Sequence, residues 1–413
     1  MSDTESPGGS GPKRPRMEDK KESMDQQQSP SGESESSDSD QASSDNEQVA
    51  PDNDQQENDN NNPNIEQPQE EVHDSTLSRK FLNQYQFYQN EKYSFLGEGS
   101  YGEVHKVHDT RNHIDVAMKK IPRGQTDQQD KYENELAILK KIANIKLENH
   151  YVVQPLSFSG KSRLNPISYM TLELMSTALS EVLDEKRNSS DSKGSFSLSE
   201  IRTLGMQIGR GLEFLATPKL KIIHADLKLD NILFTNSDRT HLKIINFSHS
   251  FKSGSRVYHP IQTENYRAPE VFLGLKPYTN TIDIWSLGTI LINMHSFNDL
   301  IPDYETDRER NIMHQYVRMF GKPPDAMRKS DVICNKYFQK DANNRWKTKN
   351  PKKVAPKDIR RDIGTFIELD EKEEGSDEYY NLIVEIMNVD VSNRIKLDRI
   401  IGHKFFEDRP APQ

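Results

Sequence analysis

The strongest constraint on this chain is a series of short signatures that follow one another in a fixed order. Gly97-Glu98-Gly99-Ser100-Tyr101-Gly102-Glu-Val104 comes first, then Lys119 at the end of Asp115-Val-Ala117-Met-Lys, then Glu135. His224-Ala-Asp226-Leu-Lys228-Leu-Asp-Asn231-Ile-Leu, Ile244-Ile-Asn246-Phe247-Ser248, Tyr266-Arg-Ala-Pro-Glu270, Asp283-Ile-Trp-Ser-Leu-Gly288 and Arg394 follow. Glycines, a lysine, carboxylates and amides dispersed in this way can act together only if the fold brings them to one place. A chance occurrence of the whole order is negligible.

The series begins only after a long acidic segment. Of the 413 residues, 1–78 hold 20 Asp/Glu against 5 Lys/Arg, while the whole chain carries a net charge of −10, so residues 79–413 carry +5. Ser, Asp, Glu, Asn, Gln and Pro dominate the segment, and such a composition cannot bury enough apolar surface to offset its ordering entropy. It is expected to be a disordered tail. Lys13-Arg-Pro-Arg16 with Lys20-Lys21 resembles a nuclear-import signal, against the alternative of a basic cluster without a reader. Residues Ser36, Ser37, Ser39, Ser43 and Ser44 are candidate phosphoacceptors or plain low complexity. The single cysteine, Cys334, excludes an intramolecular disulfide framework and a cysteine metal cluster, and fits a reducing compartment. No apolar run approaches the ~18 residues of a membrane span, and no apolar stretch follows the first methionine. The expectation is an intracellular chain, nuclear or cytoplasmic, without a membrane partner.

Hydrophobic patterning starts at about Tyr93. Tyr93–Leu96, Glu103–Val107 and Asp115–Lys119 read as three strands. Tyr132, Leu136, Leu139 and Ala143 fall on one helical face. Ser197-Leu-Ser-Glu200 reads as a capping box opening a helix with Ile201, Leu204, Ile208, Leu212 and Leu215 on one side, ended by Pro218. The fold class expected is α+β: a small strand-rich lobe over about 93–175 and a larger helical lobe over about 176–406, preceded by a linker at 79–92 and followed by a short tail at 407–413.

The glycine pattern alone fits any hairpin. A strand follows it directly, which rules against a dinucleotide fingerprint, where a helix must come next. The turn therefore reads as a lid whose backbone N–H groups can approach phosphates. Lys119 and Glu135, taken singly, are ordinary surface charges; in this order they form a pair that fixes a lysine for phosphate contact.

Together the motifs resemble the protein kinases over about Tyr93 to Phe406. Phe320-Gly-Lys-Pro-Pro324 is similar to the insert of the CMGC group. Ala225, the hinge-like Glu173-Leu-Met175-Ser-Thr-Ala-Leu-Ser-Glu-Val182 and Ile261-Gln262-Thr263 resemble the homeodomain-interacting and dual-specificity tyrosine-regulated kinases. The resemblance implies ATP under Gly97–Gly102, Val104 and Ala117, with Leu172 as gatekeeper and Glu173 and Met175 on adenine. It implies Asp226 as base, Lys228 on the transferring phosphoryl group and a divalent cation, Mg²⁺ or Mn²⁺, on Asn231 and Asn246. Glu270 would pair with Arg394, with Asp283 a structural residue. Protein substrates are implied, nuclear regulators among them; a monomer is expected, and no direct nucleic-acid binding.

The chain departs from that family at two places. Asn246-Phe247-Ser248 stands where the family carries Asp-Phe-Gly, so a neutral amide replaces the main metal carboxylate, and weakened metal binding is expected. Pro260 stands at the family's autophosphorylated tyrosine and Glu264 at a family arginine, which leaves Tyr258 as the nearest loop phosphosite. Two functional readings follow: a Ser/Thr kinase with impaired metal binding, or a silent pseudokinase serving as a nucleotide-binding or protein-interaction scaffold. His224 reads as a packing residue of its loop, Cys334 as a small apolar group, and the basic run Arg345–Lys353 as a surface loop.

Overall fold

The computed structural model describes residues 81–88, 94–99, 102–122, 126–145, 150–159, 167–189, 194–255, 257, 260–328, 331–349, 363–367, 369–370 and 373–407. The acidic segment with its basic cluster, Tyr93, Ser100, Tyr101, Tyr258 and most of the 407–413 tail lie outside these residues.

The first lobe is an antiparallel sheet of six strands: β1 (Tyr85–Phe87), β2 (Phe95–Gly99), β3 (Gly102–Asp109), β4 (Ile114–Pro122), β5 (Pro155–Phe158) and β6 (Ile167–Glu173). The strand order is β1-β3-β4-β6-β5, with β2 also pairing with β3. Part of the segment read as a linker therefore carries structure. Tyr85 is buried with Val107, Val116, Met118 and Tyr169, with Phe81 and Leu82 packed against them, and its hydroxyl lies 2.7 Å from that of Ser157. This small apolar cluster lies apart from the main core and ties residues 81–88 to the sheet.

Helix α1 (Thr126–Ala143) follows β4. Tyr132, Leu136 and Leu139 are buried as their spacing predicts, and Ile142 takes the fourth place ahead of half-buried Ala143, because a period of 3.6 falls between the two. Its core side packs into the main apolar cluster, which runs through the helical lobe.

That lobe contains α2 (Leu179–Asn188), α3 (Leu198–Ala216), α4 (Pro269–Phe272), α5 (Thr281–His295), α6 (Arg308–Phe320), α7 (Asp331–Tyr337), α8 (Ile363–Ile367), α9 (Ser376–Ile386) and α10 (Leu397–Ile401). The capping box of α3 forms on both sides: the Ser197 hydroxyl accepts from the Glu200 N–H, and the Glu200 carboxylate accepts from the Ser197 N–H at 2.8 Å. The five apolar residues expected on its face are all buried. Helix α5 buries nearly every residue, from Ile282 to Met294, and so forms the centre around which the others pack. Cys334 is buried in the same core.

Two short ladders set up the site. Strand β7 (Ile222–Ile223) pairs with β10 (Phe251–Lys252), and β8 (Ile232–Phe234) pairs with β9 (Leu242–Ile244). Residues 224–231 run from β7 into β8, and residues 245–250 run from β9 into β10. The ladders thus force these two loops side by side, although they are distant in sequence.

Candidate active site

The glycine hairpin forms as its sequence predicts. Gly97 faces Val104, Glu98 faces Glu103, and Gly99 faces Gly102 across the turn. Gly102 has φ +142°, and a Cβ there would overlap the Lys120 carbonyl of the adjacent strand. Only glycine lets β3 pass this close to β4. Val104 is paired with Lys119, and buried Ala117 with Leu172.

Lys119 and Glu135 form a buried pair. The ammonium lies 2.7 and 2.9 Å from the two carboxylate oxygens, and the side chains are 10% and 3% exposed. Burial on both sides lets neither charge be replaced by water without cost. The next residue back on α1, Asn134, donates its side-chain amide to the Ser250 carbonyl at 2.6 Å, which ties α1 to loop 245–250.

The expected hinge residues behave differently from one another. Glu173 donates its N–H to the Gln154 carbonyl at 3.0 Å. Its carboxylate accepts from Lys243 at 2.7 and 2.8 Å and from the Gln154 N–H at 2.6 Å. A ligand at this edge would therefore take its donor from further on, at Met175.

In loop 224–231 the side chains are fixed one by one. Asp283 on α5 accepts the N–H groups of His224 and Ala225 at 2.7 and 2.9 Å, and burial pushes its carboxyl above the usual range against those bonds. His224 spends its Nε2 on the Ile245 carbonyl at 2.9 Å and accepts the Asp226 N–H on Nδ1, with Phe247 edge-on at 5.3 Å. It is a structural histidine. Asp226 is almost fully buried. Its Oδ1 accepts the Thr263 hydroxyl at 2.7 Å and the Thr263 N–H at 3.1 Å. Asn231 donates its amide to the Asp226 carbonyl at 2.7 Å and to Asp226 Oδ2 at 3.2 Å. Lys228 is half-buried, its ammonium 4.0 Å from the Asp230 carboxylate.

Asn246 has φ +66°, the left-handed region that Asn tolerates best among residues with a side chain. Its Nδ2 donates to Asn231 Oδ1 at 3.2 Å, and its Oδ1 accepts the Ser248 hydroxyl at 2.8 Å. The two expected metal ligands therefore meet, but as N–H to oxygen. A divalent cation needs two oxygens there, so this arrangement does not fit one. Among the described residues no group of three or more His, Cys, Asp or Glu could hold a metal.

Downstream, Gln262 is buried with φ +62° and anchors the loop before α4. Its amide bonds the Ile282 carbonyl, the Ser286 hydroxyl and the Ala268 N–H, and its own carbonyl accepts from Arg267. Glu264, at the family-arginine position, pairs with Arg308 at 2.9 Å, and Arg267 pairs with Glu309 at 2.9 Å. Glu270 and Arg394 are joined by two bonds of 2.6 and 3.0 Å, with the guanidinium fully buried.

The structure thus brings together Asp226, Asn231 and Asn246, and separately pairs Lys119 with Glu135. Sequence reasoning missed the roles of Thr263, Ser248 and His249. His249 Nδ1 lies 3.9 Å from Asp226 Oδ2. Thr263 and Ser248 stood within motifs already singled out, whereas nothing local to His249 marks its contact.

A protein-kinase family model, described as the protein kinase domain, matches residues 90–406. The chain belongs to that family. It is 29% identical over 331 residues, 79% of this chain and 33% of the relative, to a probable serine/threonine-protein kinase dyrk2 of Dictyostelium discoideum. It is also 29% identical over 329 residues, 78% of this chain and 50% of the relative, to cyclin-dependent kinase G1 of Arabidopsis thaliana. The chain thus spans a third to a half of the length of these curated relatives. The α+β fold expected from the motifs is the one found, and the family binds ATP with a divalent metal in general. No described helix is long and apolar enough to cross a membrane.

Proposed function

We propose that the protein is a Ser/Thr kinase with weakened metal binding, which transfers the γ-phosphate of ATP to hydroxyls of protein substrates. The observation that carries this reading is the fixed orientation of Asp226 by both the N–H and the hydroxyl of Thr263. With Oδ1 taken twice, Oδ2, which accepts one longer bond from Asn231 at 3.2 Å, keeps a lone pair for the proton. The substrate hydroxyl oxygen attacks the γ-phosphorus, its proton passes to Asp226, and the bond to the β-phosphate oxygen breaks, so that ADP leaves with the electron pair. Lys228 neutralises charge on the transferring group. Lys119, steadied by Glu135, lies on the phosphates, with the glycine hairpin above them and Met175 on adenine.

A second reading has a specific observation in its favour. The closed amide pair of Asn231 and Asn246 offers no anionic oxygen, which suits a nucleotide-binding scaffold without turnover. Phosphotransfer to protein substrate by the wild type and by Asp226→Ala, in Mg²⁺ or Mn²⁺, separates the two. We read Lys13–Arg16 as a nuclear-import signal; loss of nuclear accumulation on replacing its basic residues by alanine tests that reading.

A further inference from the structure

The hydrogen bonds around Asn246 run in one direction. Asp226 offers only acceptors, its carbonyl and Oδ2, so the Asn231 amide must turn its nitrogen towards them. That leaves Asn231 Oδ1 facing Asn246, 3.2 Å away. If Asn246 were turned over, two amide oxygens would lie against each other at that distance. Asn246 therefore presents Nδ2, its Oδ1 faces Ser248, and the Ser248 hydroxyl donates to it. The series Ser248, Asn246, Asn231, Asp226 is a chain of donors that ends on a carboxylate, and each link fixes the next. Ser248 is 3% exposed and Asn231 4%, so both partners of the half-buried Asn246 are closed to water.

This chain does the opposite of what a carboxylate at position 246 would do. Two anions, a carboxylate and a polyphosphate, repel unless a cation lies between them. An amide removes that repulsion, and its N–H is a donor that phosphate oxygens can accept. We propose that the site takes ATP without a divalent cation, and that Ser248 is the positioning residue that keeps it so by holding the Asn246 oxygen away from the cation position. This rests on the nucleotide site proposed above. When the Ser248 hydroxyl is removed, the Asn246 oxygen loses its donor. The amide can then turn, and both amide oxygens become available to a cation.

The test uses the full chain and measures ATP affinity by calorimetry, with thermal shift as a second readout, in EDTA and in excess Mg²⁺. For the wild type the two affinities should agree within about twofold. Ser248→Ala should bind ATP about tenfold more tightly with Mg²⁺ than without, a difference of about 1.4 kcal/mol. Asn246→Asp should show at least the same Mg²⁺ dependence, with weaker binding in EDTA. Wild-type binding that requires Mg²⁺ overturns the proposal while leaving the nucleotide site intact. A Ser248→Ala protein that binds ATP but stays indifferent to Mg²⁺ overturns the role of Ser248. Absence of ATP binding under every condition removes the nucleotide site and this proposal together.

Discussion

Asn246 donates its amide N–H to the oxygen of Asn231 at 3.2 Å, at the place where two oxygens would be needed to hold a cation. Asn246→Asp reverses the arrangement: the backbone at φ +66° accepts Asp, and the new carboxylate brings a charged oxygen to face Asn231. Phosphotransfer in Mg²⁺ should rise about 10- to 100-fold, since each 1.4 kcal/mol of transition-state stabilisation is about tenfold. An unchanged rate, with Mg²⁺ bound, would place the defect elsewhere.

Thr263 reaches Asp226 through both its hydroxyl and its N–H, and valine there removes the hydroxyl while keeping the N–H. Thr263→Val should lower kcat about 10-fold or more with little change in KM for ATP, because the base loses orientation while the nucleotide site is untouched. Thr263→Ser should stay close to wild type. A loss in Thr263→Ser that Thr263→Val does not share would assign the effect to packing of the methyl group.

Breaking the buried Lys119–Glu135 pair leaves one charge without a partner, which costs about 3–5 kcal/mol. Glu135→Gln should therefore lower the melting temperature markedly, and Lys119→Met should lower it while also weakening ATP binding. The double variant Lys119→Met, Glu135→Leu should recover much of the stability and none of the ATP affinity. Recovery of both would show that Lys119 does not touch the nucleotide.

The Glu270–Arg394 pair makes a comparable contribution far from the chemistry. Arg394 also donates to the carbonyls of Asn388 and Thr281, each at 2.9 Å, so that one guanidinium joins α4, α5 and the segment before α10. Lysine cannot reproduce that fork. Arg394→Lys should unfold at clearly lower denaturant concentration than wild type, and a midpoint equal to wild type would contradict the reading.

Burial is the first cause that holds His150, His314 and His403 below the ordinary histidine value, about 6.5. The unfolded chain binds those protons first, so stability is full above that value and falls as the pH drops below it. His150 lies flat on Phe214, with ring centroids 4.6 Å apart. A melting curve series from neutral to mildly acidic pH should show the decline, and His150→Gln should flatten part of it. A melting temperature that rises over the same interval would contradict the sign.

The sequence carried the fold and most of the site because both depend on local signals. Spacing of apolar residues placed α1 and α3, Ser197 and Glu200 capped α3, and the glycines marked the hairpin. The order and spacing of short motifs singled out Lys119, Asp226, Asn231 and Asn246. What escaped depends on tertiary placement. Asn246 meets Asn231 only because β9 and β10 pair with β8 and β7, and Thr263 reaches Asp226 only because Gln262 anchors its loop under α5. The segment before Tyr93 read as a linker; Tyr85 is buried because the edge of β3 lies open to it.

The central claim is that Asp226 acts as a base in a kinase that still turns over. The most direct measurement is transfer of the γ-phosphate of ATP to protein substrate in Mg²⁺ or Mn²⁺ by the wild type, set against Asp226→Ala prepared in the same way. Slow transfer that Asp226→Ala abolishes is the expected result. Wild-type transfer no greater than that of Asp226→Ala, from protein that binds ATP, would contradict it and leave a nucleotide-binding scaffold.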